Sequence, residues 1–223
     1  MRTALAALLL LAAAQAEARP GRPRFEPNDL ELEKPGVLDL DFQAGYIAAA
    51  TQSRVVLPDF EIDIGLLKNF ELDLDGTYAL DPHGDSLPDN LWLSGKVGAF
   101  AVHWENGLVV SGGLQAGPRL AVAHGASGVG VDALVLLGFA RGRTHLVLNA
   151  GGYYDPVQVN QNGVGSARPA GVQLGVDLDI DLTRDGRWSF NGSAGAVIAL
   201  AVDPSQVVLT AGVTFSPKIL LWH

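Results

Sequence analysis

The sequence predicts an all-β protein, specifically an up-and-down antiparallel transmembrane β-barrel of about ten strands, with eight and twelve strands as alternatives. Three observations lead to this prediction. Apolar and polar side chains alternate along most of the chain, several alternating segments exceed ten residues, and the connections between them are alternately tight and long. No segment shows a convincing helical period, so strands account for the predicted secondary structure.

The composition excludes several classes of protein. The chain has 223 residues, of which 48% are hydrophobic and 17% are charged, and its formal net charge is -9. This composition is too apolar for a disordered chain, and the acidic balance argues against binding to nucleic acid, which requires a basic surface. Because the sequence has no cysteine, thiol catalysis, thiolate metal sites and disulfides are also excluded.

The N-terminus has the layout of a secretory signal peptide. Arg2 precedes an apolar run at residues 4–14, and the small residues Ala16 and Ala18 follow it. The run is too short to span a membrane as a helix. We therefore expect residues 1–18 to be a signal peptide, residues 19–35 to be an extended tail, and residues 36–223 to form the barrel.

Four segments show the clearest alternation. They are residues 37–50, 58–66, 70–80 and 172–183. In the last segment, Leu174, Val176 and Leu178 share one face, while Asp177 and Asp179 share the other. Successive side chains of a strand point to opposite faces, so each segment is a predicted strand with one apolar and one polar face.

Six further segments alternate less regularly and complete the predicted set of ten strands. They are residues 91–104, 108–123, 129–140, 144–154, 188–202 and 206–215. In the first of them, Trp92, Phe100 and Trp104 are predicted to share a face with Ser94 and Lys96. The third is apolar on both faces over residues 134–137, so its inward face is not evident.

The connections between the predicted strands indicate the topology. Every second connection is short and rich in turn-forming residues, namely LKN, ENG, RGR and RDG, whereas two of the others are long. Tight turns at one end and longer loops at the other are typical of outer-membrane barrels. An even number of strands also returns both termini to the end with the tight turns.

Aromatic residues are predicted to lie at the strand ends. Tyr46, Tyr78, Tyr153, Tyr154 and Trp92 fall at the outer end, and Phe70, Trp104, Phe139, Trp188 and Trp222 fall at the inner end. Amphipathic rings prefer the level of the lipid headgroups, so this distribution predicts two membrane-interface girdles. Packing of single rings at the ends of a soluble β-sandwich core is the alternative.

If the apolar face contacts lipid, the polar face encloses an acidic lumen. Its predicted acidic wall consists of Asp39, Asp41, Asp59, Glu61, Asp63, Glu71, Asp73, Asp75, Asp177, Asp179 and Asp181. Lys96 and Arg119 share this face and are candidates to pair with the wall, but they are too few to neutralise it. Because rings of Asp and Glu favour cation passage, the sequence predicts a cation-favouring lumen.

The sequence is consistent with two states of this lumen. An open lumen would hold water and mobile cations, whereas a plugged lumen would be filled by side chains that stabilise the fold, as in many small barrels. Alternate aspartates on one strand form a poor calcium motif, because Ca²⁺ is usually bound by oxygens from a turning loop. We therefore expect neither a metal site nor a cofactor.

Three short stretches resemble a known class of proteins. They are ELEKPGVLDLDFQAGY at residues 31–46, DNLWLSGKVG at residues 89–98, and the strand ending Val213-Thr214-Phe215. These stretches are similar to bacterial outer-membrane β-barrels of the transporter type, in particular those linked to phenol-degradation pathways. The resemblance implies a Gram-negative outer membrane and a channel-like role.

The sequence thus favours an outer-membrane channel or transporter-like barrel that passes or binds small solutes. Its expected partners are outer-membrane lipid and small solutes or cations, and not nucleic acid. A soluble secreted β-sandwich that binds a ligand is one alternative, and a plugged structural or lipid-modifying barrel is another. His83, Asp85 and Ser86 share a predicted loop, but their proximity in sequence does not orient a catalytic triad, so we expect no catalytic residues.

Overall fold

The computed structural model describes residues 32–48, 53–80, 87–88, 91–120, 128–154, 158–159, 165–166, 170–200 and 206–221. The predicted signal peptide and most of the predicted tail lie outside these residues. No helix long and apolar enough to cross a membrane occurs in the described ranges.

Ten antiparallel strands form a closed barrel within the described residues. They are β1 (Val37–Ala48), β2 (Ser53–Leu67), β3 (Phe70–Leu80), β4 (Leu91–His103), β5 (Leu108–Leu120), β6 (Val129–Arg141), β7 (Thr144–Tyr154), β8 (Gly171–Asp181), β9 (Trp188–Ala199) and β10 (Gln206–Phe215). Each strand pairs with the next, and β1 closes the barrel by pairing with β10, with Phe42 opposite Phe215. The closure confirms the predicted up-and-down barrel and excludes a sandwich of two sheets.

Short strands extend the barrel at its ends. Lys218–Leu220 pairs with the first residues of β1, after Ser216 and Pro217 have separated it from β10. Proline cannot donate a hydrogen bond to a sheet, which explains the break. Leu87–Pro88 pairs with β3, and Gln158–Val159 pairs with Gly165–Ser166 between β7 and β8.

The apolar side chains face outward, and the polar side chains face the barrel interior. On β6, Val135 is 58% exposed, whereas Asp132 is fully buried; on β8, Leu174 is exposed and Asp177 is buried. In water this arrangement would leave a large apolar surface in contact with solvent, which the hydrophobic effect opposes. The barrel strands contain 10 to 15 residues, enough for a tilted span of a bilayer.

A β-bulge in β4 overturns one prediction about the faces. Trp92 shares the buried inner face with Ser94 and Lys96, but Phe100 and Trp104 are exposed rather than on that face. The pairing register of β4 with β5 shifts between Gly98 and Phe100. An extra residue in one strand moves every later side chain to the opposite face.

The predicted aromatic girdles are partly corrected. Phe70, Phe139 and Trp188 lie at the end of the barrel that carries the tight turns, and the Trp188 ring packs 4.7 Å from that of Phe215. Tyr154 is exposed at the opposite end. The side chains of Tyr46, Tyr78 and Trp222 lie outside the described residues.

Two residues predicted for the outer girdle lie instead on the interior side. Trp92 is only 1% exposed. Tyr153 stacks against a buried arginine, with the Arg119 guanidinium carbon 5.7 Å from the ring centroid. Consecutive residues of a strand face opposite ways, so Tyr153 and Tyr154 cannot both face lipid.

β2 begins earlier than its alternating pattern predicts. The pattern covers residues 58–66, but the strand runs from Ser53 through Pro58. Its register with β3 shifts between Val56 and Asp59, which places the proline at an irregular point of the ladder. Such an irregularity accommodates Pro58, which has no N–H group to donate to the ladder. It also interrupts the strict alternation, so the first part of the strand is not evident from the sequence.

The end of the barrel where β1 begins and β10 finishes is here called the termini end, and the opposite end the loop end. Tight turns connect strands at the termini end, as predicted. Gly107 and Gly142 occupy two of them with φ values of 79° and 64°. Glycine adopts this left-handed conformation without the strain of other residues.

A charge placed on the outer face should destabilise the barrel according to its depth in the membrane. Leu114 lies at the centre of β5 and is 55% exposed, while Leu182 is equally exposed in the turn after β8. We expect Leu114→Arg to lower the free energy of unfolding in lipid vesicles by about 2–4 kcal/mol and Leu182→Arg by about 0–1 kcal/mol. Urea titration measures both. Equal effects of both substitutions would contradict a membrane-embedded outer face.

Candidate functional site

The strand register brings the acidic residues of β1, β2 and β3 into rows inside the barrel. One row contains Asp39, Asp63 and Asp73, and the next contains Asp41, Glu61 and Asp75. Neighbouring strands are separated by only ~4.8 Å, so the carboxyl groups of each row are adjacent. Like charges directly opposite one another oppose strand pairing. The acidic wall therefore has to be compensated by other groups.

The members of the predicted wall differ in their access to solvent. Asp39, Glu71, Asp73, Asp75 and Asp177 are buried, whereas Asp41, Glu61, Asp63, Asp179 and Asp181 are partly exposed. The side chain of Asp59 lies outside the described residues. One carboxylate oxygen each of Asp41 and Asp63 is nevertheless sealed from solvent, so Glu61 on β2 and Asp179 and Asp181 on β8 are the more accessible acidic groups of the described interior.

The interior is closed on the opposite side, along β4 to β6. Its buried polar side chains there are Ser94, Lys96, Gln115, Arg119 and Asp132. The same strands carry a small buried apolar cluster of Trp92, Leu134 and Leu136. Side chains therefore fill this half of the lumen, as in small barrels that are packed by their own residues.

Lys96 neutralises one carboxylate of the predicted wall. It lies opposite Glu71 in the β3–β4 register, and its ammonium nitrogen is 2.5 Å from Oε1 of Glu71. Both side chains are almost completely buried. A buried ion pair is tolerated only when its geometry satisfies both charges. Lys96 is thus closest to Glu71 within the acidic wall.

Arg119 forms an ion pair that the sequence pattern did not reveal. Its Nη2 atom lies 2.5 Å from Oδ2 of Asp132, and its Nε donates to the same oxygen. Gln173 on β8 donates to the other oxygen of Asp132 at 2.5 Å. Asp132 was missed because β6 is apolar on both faces just beyond it, which obscures the alternation.

Hydrogen bonds orient the central carboxylate of the wall. Oδ2 of Asp73 accepts from Ser94 Oγ at 3.1 Å and from Gln115 Nε2 at 3.0 Å, and the same Gln115 nitrogen donates to Ser94. On the far side of the barrel, Asn149 donates to Asp177. These contacts hold the inner carboxyl groups in place, since Ser94 and Asn149 lie on strands that neighbour their acceptors and Gln115 reaches Asp73 from one strand further away.

The residues just before β1 cross the termini end of the barrel on its inner side. Residues 32–36, here called the N-terminal strap, pass over β2, β3 and β4. The backbone N–H of Glu33 donates to Oε2 of Glu71 at 2.5 Å, and that of Gly36 donates to the Gly65 carbonyl at 2.9 Å. The strap therefore narrows this mouth of the lumen.

Gly65 makes room for the strap. A Cβ atom at this position would lie 2.2 Å from the carbonyl oxygen of Lys34 and 2.5 Å from that of Glu33. Gly98 on β4 similarly leaves space for the Leu32 side chain. The close approach of the strap to the sheet thus depends on glycine, which has no side chain, at positions 65 and 98.

Lys218 anchors the strap to the C-terminal end of the chain. Its ammonium group forms ion pairs with Glu33 and, at 3.0 Å, with Asp39. Lys218 follows β10 and lies outside the membrane-spanning strands. Partial burial alone would lower its pKa, but the hydrogen bond to Glu33 and the charge of Asp39 outweigh this effect and raise the pKa of Lys218. The lysine therefore stays charged across the neutral range.

One histidine contacts the acidic wall at the termini end. His145, on β7, lies 3.6 Å from Asp181 at the termini end and forms an ion pair with it when protonated. The loop residues His83, Asp85 and Ser86 lie outside the described residues. Besides Asp132, the sequence pattern missed Gln173 and Glu33. The alternating pattern shows that a residue is polar but does not indicate which distant residue it contacts in the fold.

Removing Asp132 should be strongly destabilising. In Asp132→Ala, the Arg119 guanidinium would remain buried without its carboxylate, and we expect a loss of about 3–5 kcal/mol in the free energy of unfolding. The double variant Arg119→Met with Asp132→Leu should recover most of it, because it leaves no unpaired charge. Urea unfolding in detergent measures both. A double variant as unstable as the single one would contradict this role for the pair.

An added methyl group at Gly65 should displace the strap. Because the chain has no cysteine, a Leu32→Cys variant carries a single thiol whose labelling rate reports exposure of the strap. We expect Gly65→Ala to raise this rate severalfold. Gly195→Ala on β9 is the control, because its Cβ would meet only an ordinary contact at 3.5 Å. Unchanged labelling in Gly65→Ala would show that the strap tolerates the methyl group.

Comparison with solved structures finds bacterial outer-membrane barrels. The chain is similar to the N-terminal β-barrel domain of OprF from Pseudomonas aeruginosa, with 11% identity and a TM-score of 0.36 over 83% of this chain and 100% of that one. It is also similar to an outer membrane channel from Pseudomonas putida F1, with 10% identity and a TM-score of 0.49 over 86% of this chain and 99% of that one. No protein-family model and no curated protein matches the chain. At these identities the likeness concerns the β-barrel fold alone.

Proposed function

We propose that this protein is an outer-membrane β-barrel channel whose interior favours small cations. One observation carries the proposal: the barrel is closed, its exposed outer face is apolar, and its inner face is acidic. Lipid is the environment in which an exposed apolar face of this size is stable. A closed barrel in lipid leaves its interior as the path for polar solutes.

The accessible part of the interior provides the basis for cation preference. Asp41, Glu61 and Asp63 line it from β1 and β2, and Asp179 and Asp181 line it from β8. Carboxyl groups on both sides of a narrow space with low-dielectric walls concentrate a negative potential, which attracts cations and repels anions. The basic side chains Lys96 and Arg119 are held in buried ion pairs with Glu71 and Asp132.

The same structure limits the size of the solute. The packed half between β4 and β6 occupies much of the described interior, and the strap crosses the termini end. Large substrates do not fit past these obstacles without rearrangement. We therefore assign the barrel to inorganic cations and small polar solutes, with conductance below that of a wide porin.

A plugged structural barrel is the second candidate. The buried cluster of Trp92, Leu134 and Leu136 and the adjacent Arg119–Asp132 pair favour it, because they leave no solvent-exposed path on that side of the described interior. The two candidates share the outer-membrane location and differ only in whether ions cross the barrel.

Planar-bilayer recordings distinguish the two candidates. The protein is extracted from the outer-membrane fraction of producing cells, so recovery in the soluble fraction would already contradict the location. We expect wild-type channels to prefer K⁺ over Cl⁻, and a variant combining Asp41→Asn, Glu61→Gln and Asp179→Asn to lose most of that preference, because these groups supply the negative potential.

A variant with Asp185→Asn and Glu105→Gln is the control for net charge. Both residues are exposed in turns outside the barrel wall, so the cation preference should remain. A folded protein that gives no conductance would favour the structural barrel. A conducting triple variant with unchanged selectivity would show that the acidic wall does not set the preference.

A further inference from the structure

The most unusual polar cluster of the interior lies where β2 meets β3. Glu61, Asp63 and Asp73 each offer a carboxylate oxygen there, and the three oxygens lie within 4.8 Å of one another. Asp63 and Asp73 are directly opposite in the register. The cluster thus combines ligands from two strands, which the alternating pattern of a single strand does not show.

Two oxygens of this cluster are sealed from solvent without a hydrogen-bond donor. They are Oδ1 of Asp63 and Oδ1 of Asp73. Asp73 is 0% exposed, and its other oxygen already accepts from Ser94 and Gln115. A buried carboxylate oxygen that lacks a partner destabilises the fold by its full desolvation cost. Such atoms on two facing carboxyl groups indicate that a positive species belongs between them.

The neighbouring Lys96 fills this role only in part, because its charge acts on Asp63 and Asp73 but its closest carboxylate is another one. The ammonium group of Lys96 lies 2.5 Å from Glu71, the next inner-face acid on β3. Its charge is therefore shared with a carboxylate outside the cluster. One lysine cannot balance Glu71, Asp63 and Asp73 together, so the remaining compensation has to come from a bound cation or from a proton that Asp63 and Asp73 share.

We propose that Glu61, Asp63 and Asp73 form an intrabarrel binding site for a divalent cation of the size of Ca²⁺. Hard divalent cations prefer oxygen ligands, and Ca²⁺–oxygen distances of about 2.3–2.6 Å place opposite ligands about 4.6–5.2 Å apart. The observed spread of oxygens suits such an ion. Glu61 is partly exposed, so water can complete the coordination and the ion can enter from the side of Glu61.

This inference rests on the proposed function and deepens it, because it names one binding site for a cation in the acidic interior. The bound ion would also join β2 to β3 near the strap and relieve the repulsion within the row of Asp39, Asp63 and Asp73. Calcium should therefore stabilise the folded barrel as well as bind to it.

The test is a calcium titration of EDTA-stripped protein in detergent, followed by calorimetry and by the midpoint of urea unfolding. We expect wild-type protein to bind a single Ca²⁺ and to shift its unfolding midpoint upward. Asp73→Asn and Asp63→Asn should lose both effects. The control is Asp185→Asn, which removes the same charge from an exposed turn and should retain both.

The outcomes separate this site from the channel. Wild-type protein with an unchanged midpoint and no binding heat would overturn the site and favour a shared proton, without reference to any variant. Calcium stabilisation that persists in Asp73→Asn and Asp63→Asn would also overturn it. Because no bilayer is involved, a barrel that binds Ca²⁺ but does not conduct would support the site while contradicting the channel.

Discussion

Closure of the sheet is the constraint on which the other features depend. In lipid, every backbone N–H and C=O group must find a partner within the protein, and an antiparallel sheet meets this demand only when its last strand pairs with its first. Here β1 pairs with β10 from Phe42 to Ala48, and it pairs with Lys218–Leu220 over its first residues. Once the cylinder is closed, the period of two along each strand divides the side chains into an outer apolar surface and an enclosed polar one.

The charges on the enclosed surface then have to be compensated, and the two halves of the barrel do this in different ways. Along β4 to β6, Arg119 is matched by Asp132 and the remaining space is filled by Trp92 and two leucines. Along β1 to β3, carboxyl groups face one another across neighbouring strands, and Lys96 on β4 forms its ion pair with Glu71. The first half resembles a conventional packed core, while the second depends on water, protons or cations for its compensation. Function in this barrel is therefore expected on the acidic side.

Much of the fold could be predicted because alternation, strand length and turn composition are local properties of the chain. The strand ends of β7 and β10 agree with the pattern, and the inward orientation of Asp73 and Asp177 follows from the same period. Errors arose where a local irregularity shifts the period. The bulge after Gly98 moved Phe100 to the outer face, and the doubly apolar stretch of β6 concealed Asp132. The prediction for Tyr153 was wrong because its neighbour Tyr154 is exposed on the outer face, and consecutive residues of a strand face opposite ways.

The sequence by itself determined that the chain forms long antiparallel strands with one apolar face, and that the opposite face is rich in carboxyl groups. Only the tertiary structure decided which of those carboxyl groups stand opposite each other, which of them a lysine or arginine neutralises, and that residues 32–36 turn back across the mouth of the barrel. The reason is physical. Alternation is set within one strand, whereas the pairing of charges depends on the register between strands and on close approaches such as that of Lys34 to Gly65.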